Sequence, residues 1–326
     1  MKFFAALLVA ALAIPARAQE SPLQGLDGYI EQARKAWQIP GLAVAIVKDD
    51  SVVFLQGFGV SDVRSGEAVD ENTLFSLASN TKAFVALVIM QLVDQGKVDL
   101  DAPVITYLPD FQVADPYVTR ELTIRDLLSH RTGVRPTNPW DLIDTAEEGI
   151  YSLRFALQSS SLRSTWEYNN DMYVVAGAVI EAVSGQSWER FVTDHILRPL
   201  GMHATKTNGR GLADSQGVAQ AHGLIDDTLR VVAYRGYPAG GAAGGMRSSL
   251  LEMTRWVKAL LDSTRVGQDR LVEPASFTEL FHPQMLCCLP VMPLLVKQSL
   301  ISLHMVLVGF CRITEGALLP CIQEVM

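Results

Sequence analysis

The stretch that most constrains this chain is Phe75-Ser76-Leu77-Ala78-Ser79-Asn80-Thr81-Lys82, which opens an apolar run continuing through Phe84, Val85, Leu87, Val88 and Met90 to Leu92. Apolar residues recur there at helical spacing, and Ser79 sits where the helix should begin. Lys82 then lies one turn along the same face, so a hydroxyl and an amine can point into one pocket. A serine hydroxyl is a weak nucleophile until a base takes its proton. A lysine partly stripped of water by Phe75, Leu77 and Phe84 has the lowered proton affinity to do so. The helix amino terminus adds a field that favours developing negative charge. Taken alone, Ser-x-x-Lys also describes a helix cap followed by a solvated lysine, so the pattern needs support from elsewhere in the chain.

With 326 residues the chain can bury one large core or two smaller ones. Its 49% hydrophobic and 19% charged residues are those of an ordered globular protein. A net charge of -8 with no basic cluster excludes a nucleic-acid partner. At the amino terminus, Lys2 precedes an apolar core over residues 3–14, then Pro15 and Ala16-Arg17-Ala18 before Gln19. This reads as a secretory signal peptide over residues 1–18, its core too short for a membrane span, with a retained anchor helix as the alternative. The mature chain is then expected to start at Gln19 and to be periplasmic or secreted.

Helical spacing of Leu26, Tyr29, Ile30, Ala33 and Trp37 predicts a helix ended by Pro40-Gly41. Two apolar runs, over 42–47 and 52–55, flank Lys48-Asp49-Asp50-Ser51 and predict a hairpin, and Gly57, Gly59 and Gly66 are expected to break the segment after it. Beyond the Ser79 helix, a turn is expected at 99–103 and a short helix over 122–128. Thr123 and Asp126 supply that helix with a capping pattern, and it stops at Gly133 and Pro136. Residues 136–164, with Trp140, Tyr151 and Phe155 interspersed, form either a mobile cover over a site or an ordinary surface excursion.

A second informative stretch is Trp166-Glu167-Tyr168-Asn169-Asn170, set at the start of a helix patterned by Tyr173, Val174, Ala176, Val179 and Ile180. A tyrosine hydroxyl near a lysine amine can relay a proton between nucleophile and leaving group. A nearby asparagine can both donate and accept hydrogen bonds. Alone, Tyr-x-Asn is a turn with an aromatic neighbour; beside Ser-x-x-Lys it gains meaning.

Together these motifs resemble those of the beta-lactamase-like serine hydrolases, in which Ser-x-x-Lys recurs among class A beta-lactamases and penicillin-binding proteins. The resemblance is to the class C beta-lactamase, D-aminopeptidase and esterase branch, where Tyr-x-Asn stands in place of Ser-Asp-Asn. Ile39-Pro40-Gly41-Leu42-Ala43-Val44-Ala45-Ile46-Val47-Lys48 is similar to the family's first strand and its approach. Leu127-Leu128-Ser129-His130-Arg131-Thr132-Gly133 is similar to the stretch ahead of its substrate-covering segment. The separation of Ser79 from Tyr168, and Pro238-Ala239-Gly240-Gly241 through Gly244-Gly245 before a helix over 249–261, fit the same family. The glycines form no Gly-x-Gly-x-x-Gly after a strand, which favours a turn over a phosphate cradle.

The resemblance implies an α+β fold of the beta-lactamase/transpeptidase type: an antiparallel sheet flanked by helices, plus a helical lobe, with the site at their boundary. It implies Ser79 as the acylated nucleophile, Lys82 as its base or proton partner and Tyr168 as the proton relay. Asn170 would order Lys82 and the substrate, and the Ser79 N–H would give half of an oxyanion hole. The substrate is expected to be a small molecule or peptide carrying an ester, amide or beta-lactam, with no cofactor and no stable membrane span. The competing expectation is a catalytically impaired acyl-binding or incompletely folded homologue.

That alternative arises because the family's third motif, Lys-Thr-Gly or His-x-Gly on a later strand that also supplies the second oxyanion donor, is missing. Arg131-Thr132-Gly133, Lys206-Thr207-Asn208 and Ala221-His222-Gly223 are near misses in the wrong place or with the wrong residue. From about Leu286 the composition changes: Cys287, Cys288, Cys311 and Cys321 all fall there, with few charges and no legible strand-turn alternation. The expected organisation is a signal peptide over 1–18, a hydrolase domain over 19–285 and an atypical tail over 286–326. The tail reads as out of frame, in place of the carboxy-terminal strands; a disulfide-bonded extension and a membrane segment over 294–310 are the alternatives. His130, His195, His203, His222, His282 and His304 lack His-Glu-x-x-His spacing, and there is no Cys-x-x-Cys, so no metal is expected and each histidine reads as a surface or packing residue. No Gly-x-Ser-x-Gly elbow is present.

Overall fold

Residues 23–137, 143–209, 211–212, 215–233 and 239–286, with short strands at 303–305, 311–313 and 317–319, are described by a computed structural model. The expected signal peptide, Trp140, Pro238, Cys287, Cys288 and Cys321 lie outside the described residues. The chain divides into two units, Met1–Ile39 and Pro40–Met326. In the first, helix α1 (Leu26–Ala36) buries Ile30 and closes on itself through Glu31, which pairs with Arg34 and Lys35 at i+3 and i+4.

In the second unit the expected hairpin is present as β1 (Gly41–Lys48) and β2 (Ser51–Asp62), paired antiparallel. Of the glycines expected to break the chain after residue 55, Gly57 and Gly59 instead lie inside β2, which runs on to Asp62, whereas Gly66 does sit in a turn, at φ 71°, before β3 (Glu67–Ala68) completes a three-stranded sheet. Gly57 marks close backbone approach rather than a break. A Cβ on Gly57 would meet the Val69 carbonyl oxygen at 2.2 Å. A short strand β4 (Leu74–Ser76) and a 3₁₀ turn (Ala78–Asn80) then lead into helix α2 (Thr81–Asp94). Residues 81–92 of α2 are all buried, so this helix is the centre of the helical lobe rather than one of its surfaces.

Around α2 the chain adds α3 (Pro116–Glu121), α4 (Ile124–Leu128), α5 (Ala146–Ser152), α6 (Asn170–Ser184) and α7 (Trp188–Val192). A hairpin follows, β5 (His222–Ile225) with β6 (Thr228–Val231), and then one helical turn, α8 (Gly241–Gly244), where a plain turn was expected. Strand β7 (Arg247–Ser249) pairs with β4, and α9 (Leu250–Leu261), capped by Ser249, packs against β1 and β2. A two-residue ladder of β8 (Arg265–Val266) and β9 (Asp269–Arg270) precedes α10 (Pro274–Leu280). The fold is thus mixed helix and antiparallel sheet, as expected. In the tail, where no strand pattern was legible, β10 (Met285–Leu286), β11 (Leu303–Met305), β12 (Cys311–Ile313) and β13 (Ala317–Leu319) form a separate antiparallel sheet. Strands of two or three residues are too short for alternation to be read from sequence.

Helix α4 carries both halves of the expected capping box, Thr123 and Asp126. Asp126 does more than cap, because Arg131 and Arg163 both pair with its fully buried carboxylate at 2.6 and 2.8 Å. Burial opposes its ionisation, yet Arg163, the Thr123 backbone and Arg131 together hold the carboxyl below the usual carboxylate range. This hub joins α4 to the segment that leads to Tyr168. Asp126→Ala is expected to destabilise the fold by about 3 kcal/mol, since it strands two guanidiniums and opens a helix cap. Urea unfolding measures this, and a loss below about 1 kcal/mol would show the hub to be dispensable.

Candidate active site

Pairing of β4 with β7, and the Leu77 N–H donated to the Met246 carbonyl at 2.8 Å, deliver the chain to the start of α2. There Ala78 adopts φ 45°, a left-handed conformation that costs a residue with a Cβ about 1–2 kcal/mol. The next residue, Ser79, is exposed at the mouth of the helix, and Lys82 lies one turn on with only 3% of its surface exposed.

The Lys82 Nζ lies 3.1 Å from Ser79 Oγ, 2.8 Å from Asn170 Oδ1 and 2.6 Å from the Ala243 carbonyl oxygen. Ser79 Oγ is also 2.5 Å from the Tyr168 hydroxyl. The structure therefore brings together all four residues singled out from the sequence. Burial pulls the Lys82 ammonium down to about 7. In its neutral form the amine can give its two protons to Asn170 and Ala243, which leaves its lone pair for the Ser79 hydroxyl. The rings of Tyr168 and Tyr173 lie 4.9 and 5.4 Å from Nζ and support whatever fraction of positive charge remains.

Asn169 caps α6, taking the Asp171 N–H on its side chain and donating to the Val134 carbonyl at 2.9 Å. This cap places Asn170 in the first turn, facing Lys82. The glycine-rich segment contributes through α8, whose Ala243 carbonyl reaches Lys82 because α6 and α8 approach closely. A Cβ on Gly177 would lie 2.9 Å from the Ala242 Cβ. Ala243 and His130 were not singled out as site residues. A main-chain acceptor leaves no mark in sequence, whereas His130 stood in a flagged stretch and is buried beside Tyr168, their ring centres 4.7 Å apart.

The near misses of the third motif are engaged elsewhere. Arg131 pairs with Asp126, Lys206 exchanges backbone bonds with Arg247, and His222 Nε2 accepts the Val63 N–H at 3.2 Å. Among the described residues no group of three or more His, Cys, Asp or Glu could hold a metal, and no helix is long and apolar enough to cross a membrane.

The shift of Lys82 has a consequence for stability. The unfolded lysine keeps its proton up to about 10.5, whereas the folded one releases it near 7. Between those values the unfolded chain binds the extra proton, so stability rises as pH climbs from about 7 towards 10.5, by at most about 1.4 kcal/mol per unit. Below 7 both states are charged and this slope vanishes. Unfolding by urea at pH 7.5 and 9.5 is expected to show the rise in the unaltered chain and not in Lys82→Met; equal slopes would mean that Lys82 keeps its charge.

The family model described as Beta-lactamase matches residues 26–285. Among curated proteins, the chain is 32% identical over 261 residues to the unguisins hydrolase of Aspergillus violaceofuscus, covering 74% of this chain and 46% of the relative. It is 30% identical over 202 residues to Protein flp of Staphylococcus aureus, covering 60% and 41%. The chain thus spans about half the length of the curated relatives it matches. Among solved structures, the octameric penicillin-binding protein homologue from Pyrococcus abyssi superposes with a TM-score of 0.73 at 23% identity, over 89% of this chain and 65% of that one.

Proposed function

The chain belongs to the beta-lactamase family, and we propose that it is a serine hydrolase working through an acyl-enzyme on Ser79, with an ester, amide or beta-lactam as substrate. The observation that carries the proposal is the placement of one hydroxyl between an amine and a phenol, with the other amine protons taken up by Asn170 and Ala243. Neutral Lys82 takes the Ser79 proton as Oγ attacks the carbonyl carbon, and the Ser79 N–H meets the developing oxyanion. Tyr168 gives its proton to the leaving group and recovers one from Lys82. Water then attacks the acyl-enzyme, with the same groups acting in reverse. The similarity to the unguisins hydrolase supports hydrolysis as the reaction class.

Tyr168→Phe tests the proton route. An amide nitrogen cannot leave unprotonated, whereas an activated phenolate can. The substitution is therefore expected to slow amide or beta-lactam turnover by about 10²-fold and activated-ester turnover by about tenfold or less. Equal losses on both would remove Tyr168 from leaving-group protonation.

A second reading rests on the missing third motif. Without a second oxyanion donor the chain would bind or trap acyl groups with little turnover. In line with this, residues 286–326 are read as out of frame, which sequencing of the coding DNA decides. The pattern over residues 1–18 supports export to the periplasm or medium, which amino-terminal sequencing of the exported chain decides.

A further inference from the structure

We propose that His130 is the positioning residue for Tyr168, holding the chain on both sides of it and setting its phenol against Ser79. The inference rests on the role given to Tyr168 above. The His130 carbonyl accepts the Glu167 N–H at 2.9 Å, and its Nδ1 accepts the Asn169 N–H at 3.2 Å. The N–H groups of the two residues that flank Tyr168 are thus both anchored to one residue. Between these anchors the imidazole lies against the phenol, ring centres 4.7 Å apart and planes 42° from each other. Behind it stands Tyr173, 5.4 Å away, fixed by its own hydroxyl on the Leu128 carbonyl at 2.9 Å. Trp166 closes the frame edge-on at 6.2 Å.

Two further features fit a clamp rather than a filler. His130 adopts φ 56°, a left-handed conformation disfavoured for a residue with a Cβ, kept here because its carbonyl and its ring must face the same segment. Acceptance at Nδ1 leaves the proton on Nε2, so the clamp works as neutral imidazole. Burial, with the Lys82 charge nearby, pushes the imidazole down to about 3, so it stays neutral wherever Lys82 titrates.

The test uses two substitutions that tolerate the left-handed backbone. His130→Gly removes the ring and the acceptor; His130→Asn restores an acceptor near Nδ1. Thermal unfolding confirms that each is folded. On an amide substrate His130→Gly is expected to lower kcat by about a hundredfold with little change in KM, and His130→Asn to recover most of it. In a Tyr168→Phe background the same His130→Gly change is expected to cost less than about threefold, because nothing remains for it to position. Independently of turnover, ring-labelled tyrosine is read by NMR, with the Tyr168 signal identified by its loss in Tyr168→Phe. That signal is expected to move towards the position of free tyrosine in His130→Gly and to stay in place in His130→Asn. An unmoved signal in His130→Gly, or losses that multiply in the double variant, would overturn the proposal. Absence of turnover in the unaltered chain would count against the hydrolase reading alone, and the NMR arm would still decide the clamp.

Discussion

Ser79→Ala is expected to lower turnover of an activated ester by at least about 10⁴-fold while leaving stability within about 0.5 kcal/mol of the unaltered chain. The two halves of this result belong together. Ser79 is exposed at the mouth of α2, so its hydroxyl contributes little packing. Its contacts with Tyr168 and Lys82 are polar and lie at the edge of solvent. A loss of activity accompanied by a loss of several kcal/mol would mean that the substitution had disturbed the fold, and would say nothing of the chemistry. Residual activity within tenfold of the unaltered chain would place the reaction on another group.

Lys82→Met is expected to lower the same rate by about 10³-fold, within the range that general acid-base groups supply. The rate of the unaltered chain should rise with pH through about 7, as the buried ammonium loses its proton and becomes able to accept that of Ser79. In Lys82→Met the residual rate should lack this limb. If the limb persists there, it belongs to another group and Lys82 acts only as a source of positive charge. The substitution also leaves Asn170 Oδ1 and the Ala243 carbonyl without their amine partner, so its effect on folding must be measured beside the rate.

What the sequence disclosed and what it hid follow from the range of each interaction. Ser79 and Lys82 are three residues apart at a helix start, so one periodicity brings them together. The partnership with Tyr168 spans 89 residues, and no local pattern encodes it; resemblance to a family was needed to join the two motifs. The Ala243 carbonyl is main chain and could not be read at all. His130 stood in a flagged stretch, but its contacts with Glu167 and Asn169 depend on a left-handed backbone that only a structure displays. Gly57 misled because a glycine that breaks a strand and one that admits a neighbouring carbonyl look the same in sequence. Asp126 was legible as a cap, whereas its pairing with Arg163, 37 residues away, was not.

One measurement tests the central claim most directly: the intact mass of the chain after exposure to a beta-lactam or an activated ester, with Ser79→Ala treated in parallel. The expected result is a mass increase of one acyl group on the unaltered chain and none on Ser79→Ala. A persistent adduct would add that deacylation is slow, as the missing third motif suggests. No adduct on a folded unaltered chain, or the same adduct on Ser79→Ala, would contradict the assignment of Ser79 as the acylated nucleophile.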